Sequence, residues 1–252
     1  RLLPTLPDDV ELVVVDTGPD DGGAALARAR DATVLERRDN PGFGAACNAG
    51  LARVTESVTV LLNPDTEDRG GALPELARRA AATRGLHAPR LLNADGSVQR
   101  SAHPLPGTPG AFLPALLPVL PGGIRTRAEP YRAGTSRSVG WAVAACLAAR
   151  TDLLHFDERI HLFAEDMDLC LRARASGVRT ILHPDLAIRH TGRHSLAHEP
   201  FEQLARNRRA VIERNLGRRA RKADDAAQLL TFAARAFKGR RERQQLTALL
   251  KQ

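Results

Sequence analysis

The chain has 252 residues, enough for one sizeable α/β domain or at most two small ones. Its apolar content of 43% is ordinary for a globular protein, and no run approaches the ~18 consecutive apolar residues of a membrane span. The net charge of +8 is unevenly spread: residues 201–252 hold fourteen Lys or Arg against five Asp or Glu, and the rest is close to neutral, so a basic tail faces an anionic partner such as lipid headgroups or nucleic acid.

In chain order, residues 10–15 form a β-branched run ending at Asp16, as expected of a buried strand. A glycine-rich turn, a helix over 24–32, a short strand over 33–36 and a loop at 40–44 follow. A helix over 45–54 leads to a second clear strand, 57–62, ending at Asn63-Pro64-Asp65. This alternation predicts βαβ units and a mostly parallel sheet flanked by helices. In such sheets ligands bind beyond the carboxyl ends of the strands, where Asp16 and Asp65 both lie. Further on come a helix over 73–82, a hairpin turn at Asn93-Ala94-Asp95-Gly96, and a Pro- and Gly-rich excursion over 101–130 with a short helix near 112–117. An apolar segment surrounds Trp141; a helix over 165–176 stops at Gly177. Short strands over 180–183 and 187–190 precede helices over 201–216 and 225–250.

Cys47, Cys146 and Cys170 are widely spaced and form no CxxC pair, so neither a zinc site nor a disulfide framework is expected, and a reduced cytosolic compartment is the simple expectation. The opening Arg1-Leu2-Leu3-Pro4, followed by acidic residues, has no signal-peptide pattern.

Asn63-Pro64-Asp65-Thr66 sets a carboxylate just past a buried strand. One such ligand can help hold a Mg2+ or Mn2+ ion whose other positions are filled by phosphate and water, although the same residues also make a good turn. Glu165, Asp166 and Asp168 open a helix. They complement its dipole, and as three acids in four residues between apolar neighbours they raise one another's pKa, which suits a general base. His183, His190, His194 and His198 crowd one region, so one metal ligand among them is plausible on composition, though not in an HExxH pattern. The Asn40-Pro41-Gly42-Phe43-Gly44 loop matches neither a dinucleotide fingerprint nor a P-loop; it is a tight turn feeding a helix N-terminus that can approach an anion.

Taken in order, these segments resemble the family-2 glycosyltransferases of GT-A fold, the nucleotide-diphospho-sugar transferase, Rossmann-like class. The nearest look is to bacterial cell-wall rhamnosyltransferases. The matching pieces are Val13-Val14-Val15-Asp16, the run from Asn40 to Asn48, Leu61-Leu62-Asn63-Pro64-Asp65-Thr66, Asp95-Gly96-Ser97-Val98, Val139-Gly140-Trp141, Phe156-Asp157-Glu158-Arg159, the run from Phe163 to Cys170, and Pro184-Asp185 through His190. They span about residues 10–217.

The resemblance implies an inverting transferase that moves a sugar, rhamnose by that likeness, from a dTDP- or UDP-sugar to a polyprenyl-linked or polysaccharide acceptor. It implies donor contacts at Asp16, Asn40, Gly42, Phe43, Asn48, Asn63 and Asp65, and a Mg2+ or Mn2+ held by Asp65 and His190. Asp166 would be the general base, Glu165 and Asp168 would orient it or hold the acceptor, and Trp141 and Ala144 would line the acceptor cleft. Departures are Thr17 for the family's Asn, Ala144 for a Gly and His155 for a Gly. The family also opens with an apolar strand ending near Thr-Tyr-Asn. This chain starts after it, so an exposed sheet edge and an opened nucleotide pocket are expected.

The expected organisation is a GT-A domain over 1–217 and a basic amphipathic helical tail over 218–252. Leu229, Leu230, Phe232 and Phe237 between basic clusters suit peripheral attachment to the inner face of the cell membrane, where a lipid-linked acceptor lies. With only two Phe and no interleaved aromatics, nucleic-acid binding is not expected. The rival reading is a non-catalytic GT-A pseudoenzyme or membrane-surface scaffold.

Overall fold

The computed structural model describes residues 2–112, 129–192, 201–236 and 239–251. Most of the helix expected over 112–117, together with His194, His198, Phe237 and Lys238, lies outside these residues. The strands are β1 (Val13–Asp16), β2 (Thr33–Glu36), β3 (Val58–Leu62), β4 (Thr66–Glu67), β5 (Gly85–Leu92), β6 (Ala102–His103), β7 (Arg137–Val139), β8 (Trp141–Ala142), β9 (Cys146–Arg150) and β10 (Arg179–His190). The helices are α1 (Gly23–Arg28), α2 (Phe43–Leu51), α3 (Ala72–Ala82), the single turn α4 (Pro109–Phe112), α5 (Glu165–Ala175), α6 (Phe201–Ala233) and α7 (Arg240–Leu250).

The main sheet runs β3-β9-β5-β10-β4, with β7 added along the start of β10. It is mixed rather than mostly parallel: β5 and β10 pair in parallel, whereas β9 is antiparallel to both β3 and β5. Strand β3 and helix α3 read correctly from periodicity, whereas β5 carries no expectation of a strand, and β9 arrives from far along the chain and inserts between β3 and β5. Local pattern carries no information about such an insertion. The two short strands expected over 180–190 are one strand, β10, whose register with β5 shifts between His183 and Ala187.

Both faces of this sheet are covered. Along β9, Cys146 and Ala148 face Leu76 and Ala80 of α3, while Leu147 and Ala149 face Phe156, Leu169 and Cys170 on the α5 side. That two-sided burial explains why β9 reads as a continuous apolar run. The Asp68 carboxylate starts α3 by accepting from the Ala72 and Leu73 N–H groups, both at 2.9 Å.

β1 and β2 form a separate two-stranded parallel sheet. Among the described residues β1 pairs only with β2 and β3 only with β9, so each leaves one edge unpaired. Helix α2 links the two sheets. Its Gly50 packs against Val15 of β1, while Phe43, Cys47 and Leu51 pack on the α5-side core. Leu2, Leu3 and Leu6 cover the α3-side core, tied to the end of α1 by Arg30, which donates to the carbonyls of Leu3 and Leu6 and pairs with Asp8 at 2.6 Å.

The start of α2 holds the loop that precedes α5. Gly42 has φ 93°, and a Cβ there would lie 2.1 Å from the His161 carbonyl oxygen; Phe43 N–H donates to that same oxygen at 3.1 Å. Gly42→Ala combines a left-handed backbone with a collision against main chain, and is expected to cost about 1–3 kcal/mol or more in unfolding free energy. A variant as stable as wild type in urea titration would refute this close approach.

A histidine pair sits between α3 and the sheet. His87 and His183 have rings parallel to within 3°, with Nδ1 of His87 2.9 Å from Nε2 of His183. The Thr83 carbonyl accepts from His87 Nε2 at 2.9 Å, and Arg79 donates to His183 Nδ1 at 3.0 Å. This order of donors and acceptors leaves both rings neutral. Burial holds both below the usual histidine value, His183 at about 4. Unfolded histidines take up protons near pH ~6.5. Stability from this pair is therefore full above that pH and is lost as pH falls towards His183's folded value. Urea midpoints should decline over that window, and decline less in a His87→Gln, His183→Gln double variant. Equal slopes would dismiss the pair as the source.

Candidate active site at the carboxyl ends of the strands

Asp65 follows β3, and its backbone receives the chain that leaves β10. Thr191 N–H donates to the Asp65 carbonyl at 3.0 Å, and Gly192 N–H to its carboxylate at 2.9 Å. His190, the last residue of β10, places Nε2 3.3 Å from Asp65 Oδ1, while its Nδ1 lies 2.8 Å from Gln99 Oε1. Gln99 Oε1 and Asp65 Oδ1 thus engage the two ring nitrogens of His190, with Nε2 on the Asp65 side. Burial raises the Asp65 pKa, but the contacts with His190 and the Gly192 amide outweigh it, and the carboxyl sits below its usual range. One carboxylate and one oriented imidazole form a donor set that suits Mn2+ or Mg2+ bridging a diphosphate, with Gln99 holding the imidazole in place. Asn63, two residues before Asp65, has a buried Oδ1 without a hydrogen-bond partner, which is a spare oxygen donor in the same strand-end turn. Among the described residues no three His, Cys, Asp or Glu side chains converge on one point.

Asp16, at the end of β1, accepts from Gly18 N–H at 3.1 Å and pairs with Arg38 at 3.2 Å. Arg38 also pairs with Glu36 at 2.6 Å and donates to the Gly18 carbonyl. The expected donor residues of α2 are placed differently from one another. Asn40 sits in the loop with φ 41°. Gly42 and Phe43 lie against the 156–161 loop, Phe43 in an edge-on contact with Phe156 at 5.8 Å. Asn48 donates through Nδ2 to the Phe156 carbonyl and to Glu158, both at 3.0 Å, and accepts from Phe156 N–H at 2.9 Å. Its amide hydrogens are thus engaged within the protein, pinning the loop that carries α5.

Two consecutive non-glycine residues in the left-handed region, Phe163 (φ 69°) and Ala164 (φ 71°), turn the chain into α5. Such strain persists only where the surroundings enforce it and concentrates at functional sites. The three acids that follow diverge around the helix. Asp168 is fully buried and accepts from Arg172 at 2.7 Å, Arg214 at 2.7 Å and Asn215 at 2.9 Å. Burial raises its pKa, but these three donors outweigh that and hold it low. It is a tie between α5 and α6. Glu165 and Asp166 behave oppositely. Burial pushes both carboxyls up, Glu165 further because the Asp166 charge lies beside it. Met167 N–H donates to Asp166 Oδ1 at 2.7 Å, and the Ala144 amide also stabilises the charged form. Glu165 Oε2 is buried without a partner.

The turn at 143–145 joins the two halves of the site. Asn63 N–H donates to the Ala145 carbonyl at 2.9 Å, while the neighbouring Ala144 amide faces Asp166. Trp141 enters from β8, stacked on His103 at 4.1 Å, with the Arg208 guanidinium 5.8 Å from its ring and its Nε1 buried and unpartnered. Burial pushes His103 down to about 3, so it is neutral. Sequence reasoning missed Arg38, Gln99, His103, Arg208 and Arg214. Each comes from a segment far in sequence from the residue it contacts, and a lone Arg, Gln or His carries no local signal.

Residues 2–128, half of the chain, match the family described as Glycosyl transferase family 2. An N-acetylglucosaminyl-diphospho-decaprenol L-rhamnosyltransferase of Mycobacterium tuberculosis is 28% identical over 225 residues, covering 80% of this chain and 73% of that protein. A mannosyltransferase from Pyrobaculum calidifontis, solved with GDP-Man and Mn2+, superposes with a TM-score of 0.57 at 15% identity, covering 97% of this chain and 76% of that one. A mycobacterial protein of known structure gives a TM-score of 0.51 at 17% identity over 81% of this chain, which spans 64% of its length. The structural likenesses carry the GT-A fold, and the family match carries membership. The chain belongs to glycosyl transferase family 2.

Proposed function

We propose that this glycosyltransferase moves a sugar, rhamnose being the first candidate, from a dTDP- or UDP-sugar to a lipid-linked acceptor in cell-wall or surface-glycan synthesis, with inversion at the anomeric carbon. The observation that carries the reading is Asp166. Its carboxyl is raised above its usual range and held by two amides, and it has no ion pair among the described residues, whereas Asp168 two residues on is fully saturated. The lipid-linked acceptor and the rhamnosyl donor rest on the mycobacterial relative's name.

In this reading Asp65, with Asn63 beside it, binds the donor's diphosphate end, and Asp16 with Arg38 holds the nucleoside end near β1. A Mg2+ or Mn2+ held by Asp65 and His190 would neutralise the departing diphosphate. Gln99 keeps the His190 ring oriented for that task. Across the 143–145 turn, ionised Asp166 accepts the proton of the acceptor hydroxyl as its oxygen bonds to the anomeric carbon and the diphosphate leaves from the opposite face. Glu165, the more strongly raised of the pair, keeps its proton near neutral pH and can donate it to an acceptor oxygen. Trp141 and Ala144 line the acceptor side. No helix among the described residues is long and apolar enough to cross a membrane, and we place the chain peripherally at the inner face of the cell membrane through its basic C-terminal helices.

A non-catalytic member of the family is favoured by one observation: among the described residues the two-stranded sheet carrying Asp16 is not strand-paired to the sheet carrying Asp65. A thermal-shift panel of UDP, dTDP and their sugars, with and without Mn2+, separates the two readings. A Mn2+-dependent rise with one nucleotide supports the transferase, and no rise with any favours the scaffold.

For the transferase, Asp166→Asn should lower kcat by about 10²–10⁴-fold while leaving donor binding near wild type. Because Asp166 must be charged, activity should fall as pH drops through its raised pKa, at a higher pH than an ordinary carboxylate would give. Treatment with EDTA should abolish turnover and Mn2+ should restore it; turnover that persists in metal-free enzyme would remove Asp65 and His190 from the cation's coordination.

A further inference from the structure

Helix α6 is a folded-back pair. Gly217 (φ 84°, ψ 169°) breaks it, and three ion pairs nest around that residue: Glu213–Arg221 at 2.8 Å, Arg209–Asp225 at 2.8 Å and Arg208–Asp224 at 2.7 Å. Residues 16 apart on a straight helix would stand ~24 Å apart. The two halves therefore run antiparallel, and residues 218–233 return along 201–216. The boundary expected at 217 is a hairpin corner, and the segment beyond it packs onto the domain. Ala220 and Leu216 join Met167, Leu105 and Trp141 in one apolar cluster, and a Cβ on Gly107 would meet Ala220 at 2.7–2.8 Å.

Arg208 is the member of these pairs that reaches the site. Asp224, 2% exposed, accepts from its Nε at 2.7 Å and its NH2 at 2.8 Å, a two-pronged grip that fixes the guanidinium plane. The remaining NH1 contacts Met167 Sδ at 3.9 Å, one residue from Asp166, and the guanidinium lies over Trp141. We propose that Arg208, clamped by Asp224 from the returning half of α6, is a positioning residue that braces Trp141 and presents a fixed positive charge to Asp166. The C-terminal segment thereby completes the acceptor side of the site. This rests on Asp166 being the base, as proposed above.

The charged and titratable groups around Asp166 are few. Glu165, Cys170 and Asp168 share its helix, with the Asp168 charge taken up by Arg172, Arg214 and Asn215; Arg208 acts on it from α6, and neutral His103 is stacked on Trp141. Of these only Arg208 favours the carboxylate. Arg209–Asp225 supplies an internal control: the same hairpin pairing, one residue along, with Arg209 reaching the Leu249 carbonyl instead of the site.

The experiment compares Arg208→Gln, Arg208→Lys and Arg209→Gln by two readouts that need no turnover. Carboxyl 13C NMR of labelled aspartate, with Asp166→Asn identifying the signal, follows the Asp166 titration. Fluorescence of Trp141, the chain's one tryptophan, follows the brace. In Arg208→Gln the Asp166 titration should move up by as much as ~1 pH unit and the Trp141 emission should change. Arg208→Lys should recover most of the titration shift but not the emission, and Arg209→Gln should alter neither. An Asp166 titration and Trp141 emission unchanged in Arg208→Gln, or changed equally in Arg209→Gln, overturns the proposal. In turnover assays the acid limb of kcat should follow the NMR shift while donor KM stays put. A wild-type protein without turnover would instead refute the transferase reading, with the two spectroscopic readouts still deciding the positioning role.

Discussion

The buried carboxylate of Asp168 is the constraint on which the site depends. A charge with no solvent exposure is tolerable only when its lone pairs are occupied, and here Arg172, Arg214 and Asn215 occupy them. Arg172 belongs to the same helix, but Arg214 and Asn215 come from α6. The need to satisfy one acid therefore fastens the C-terminal helices to α5 and fixes the rotation of α5 about its own axis. With Asp168 turned inward, Asp166 and Glu165 are left on the side of the 143–145 turn and Trp141. The left-handed pair Phe163 and Ala164 sets where the helix begins, and Asn48 and Gly42 hold the loop before it from beneath.

The contrast among these three acids explains how one short run of sequence supplies different chemistry. Asp168 has strong donors and stays ionised as a structural tie. Asp166 has two amides and the Arg208 guanidinium, which burial outweighs, so its proton affinity rises. Glu165 has an oxygen with no partner at all, and its affinity rises further. A carboxylate that titrates above the ordinary range accepts a hydroxyl proton more readily, which suits the role of base proposed for Asp166. At the other end of the turn Asp65 is held low, which suits the cation- and diphosphate-binding role proposed for it.

The C-terminal helices join these themes. Composition presents them as a basic tail, and several of their arginines are committed inside the protein: Arg208 to Asp224, Arg209 to Asp225, Arg214 to Asp157 and Asp168, Arg221 to Glu213 and Asp225. Much of the positive charge that suggested an anionic surface is thus internal wiring. A hairpin built on such pairs places the same segment near both the acceptor side of the site and the exposed Leu230 and Leu250.

The order of apolar runs and turns by itself determined the α/β class, strand β3 with the helix α3 that follows it, and the placement of Asp16 and Asp65 at strand ends, because those features follow from periods of two and 3.6 residues and from the geometry of parallel units. The ordered motifs from Val13 to His190 likewise determined the family. Only the tertiary structure decided that β9 inserts antiparallel between β3 and β5, that Asn48 grips Phe156, that Asp168 is tied by side-chain donors while Asp166 is held by main-chain amides, and that α6 folds back at Gly217 to bring Asp224 to Arg208. Each of these pairs residues far apart in the chain. Their partners are chosen by which buried polar group would otherwise go unsatisfied, a condition that exists only once the chain has packed.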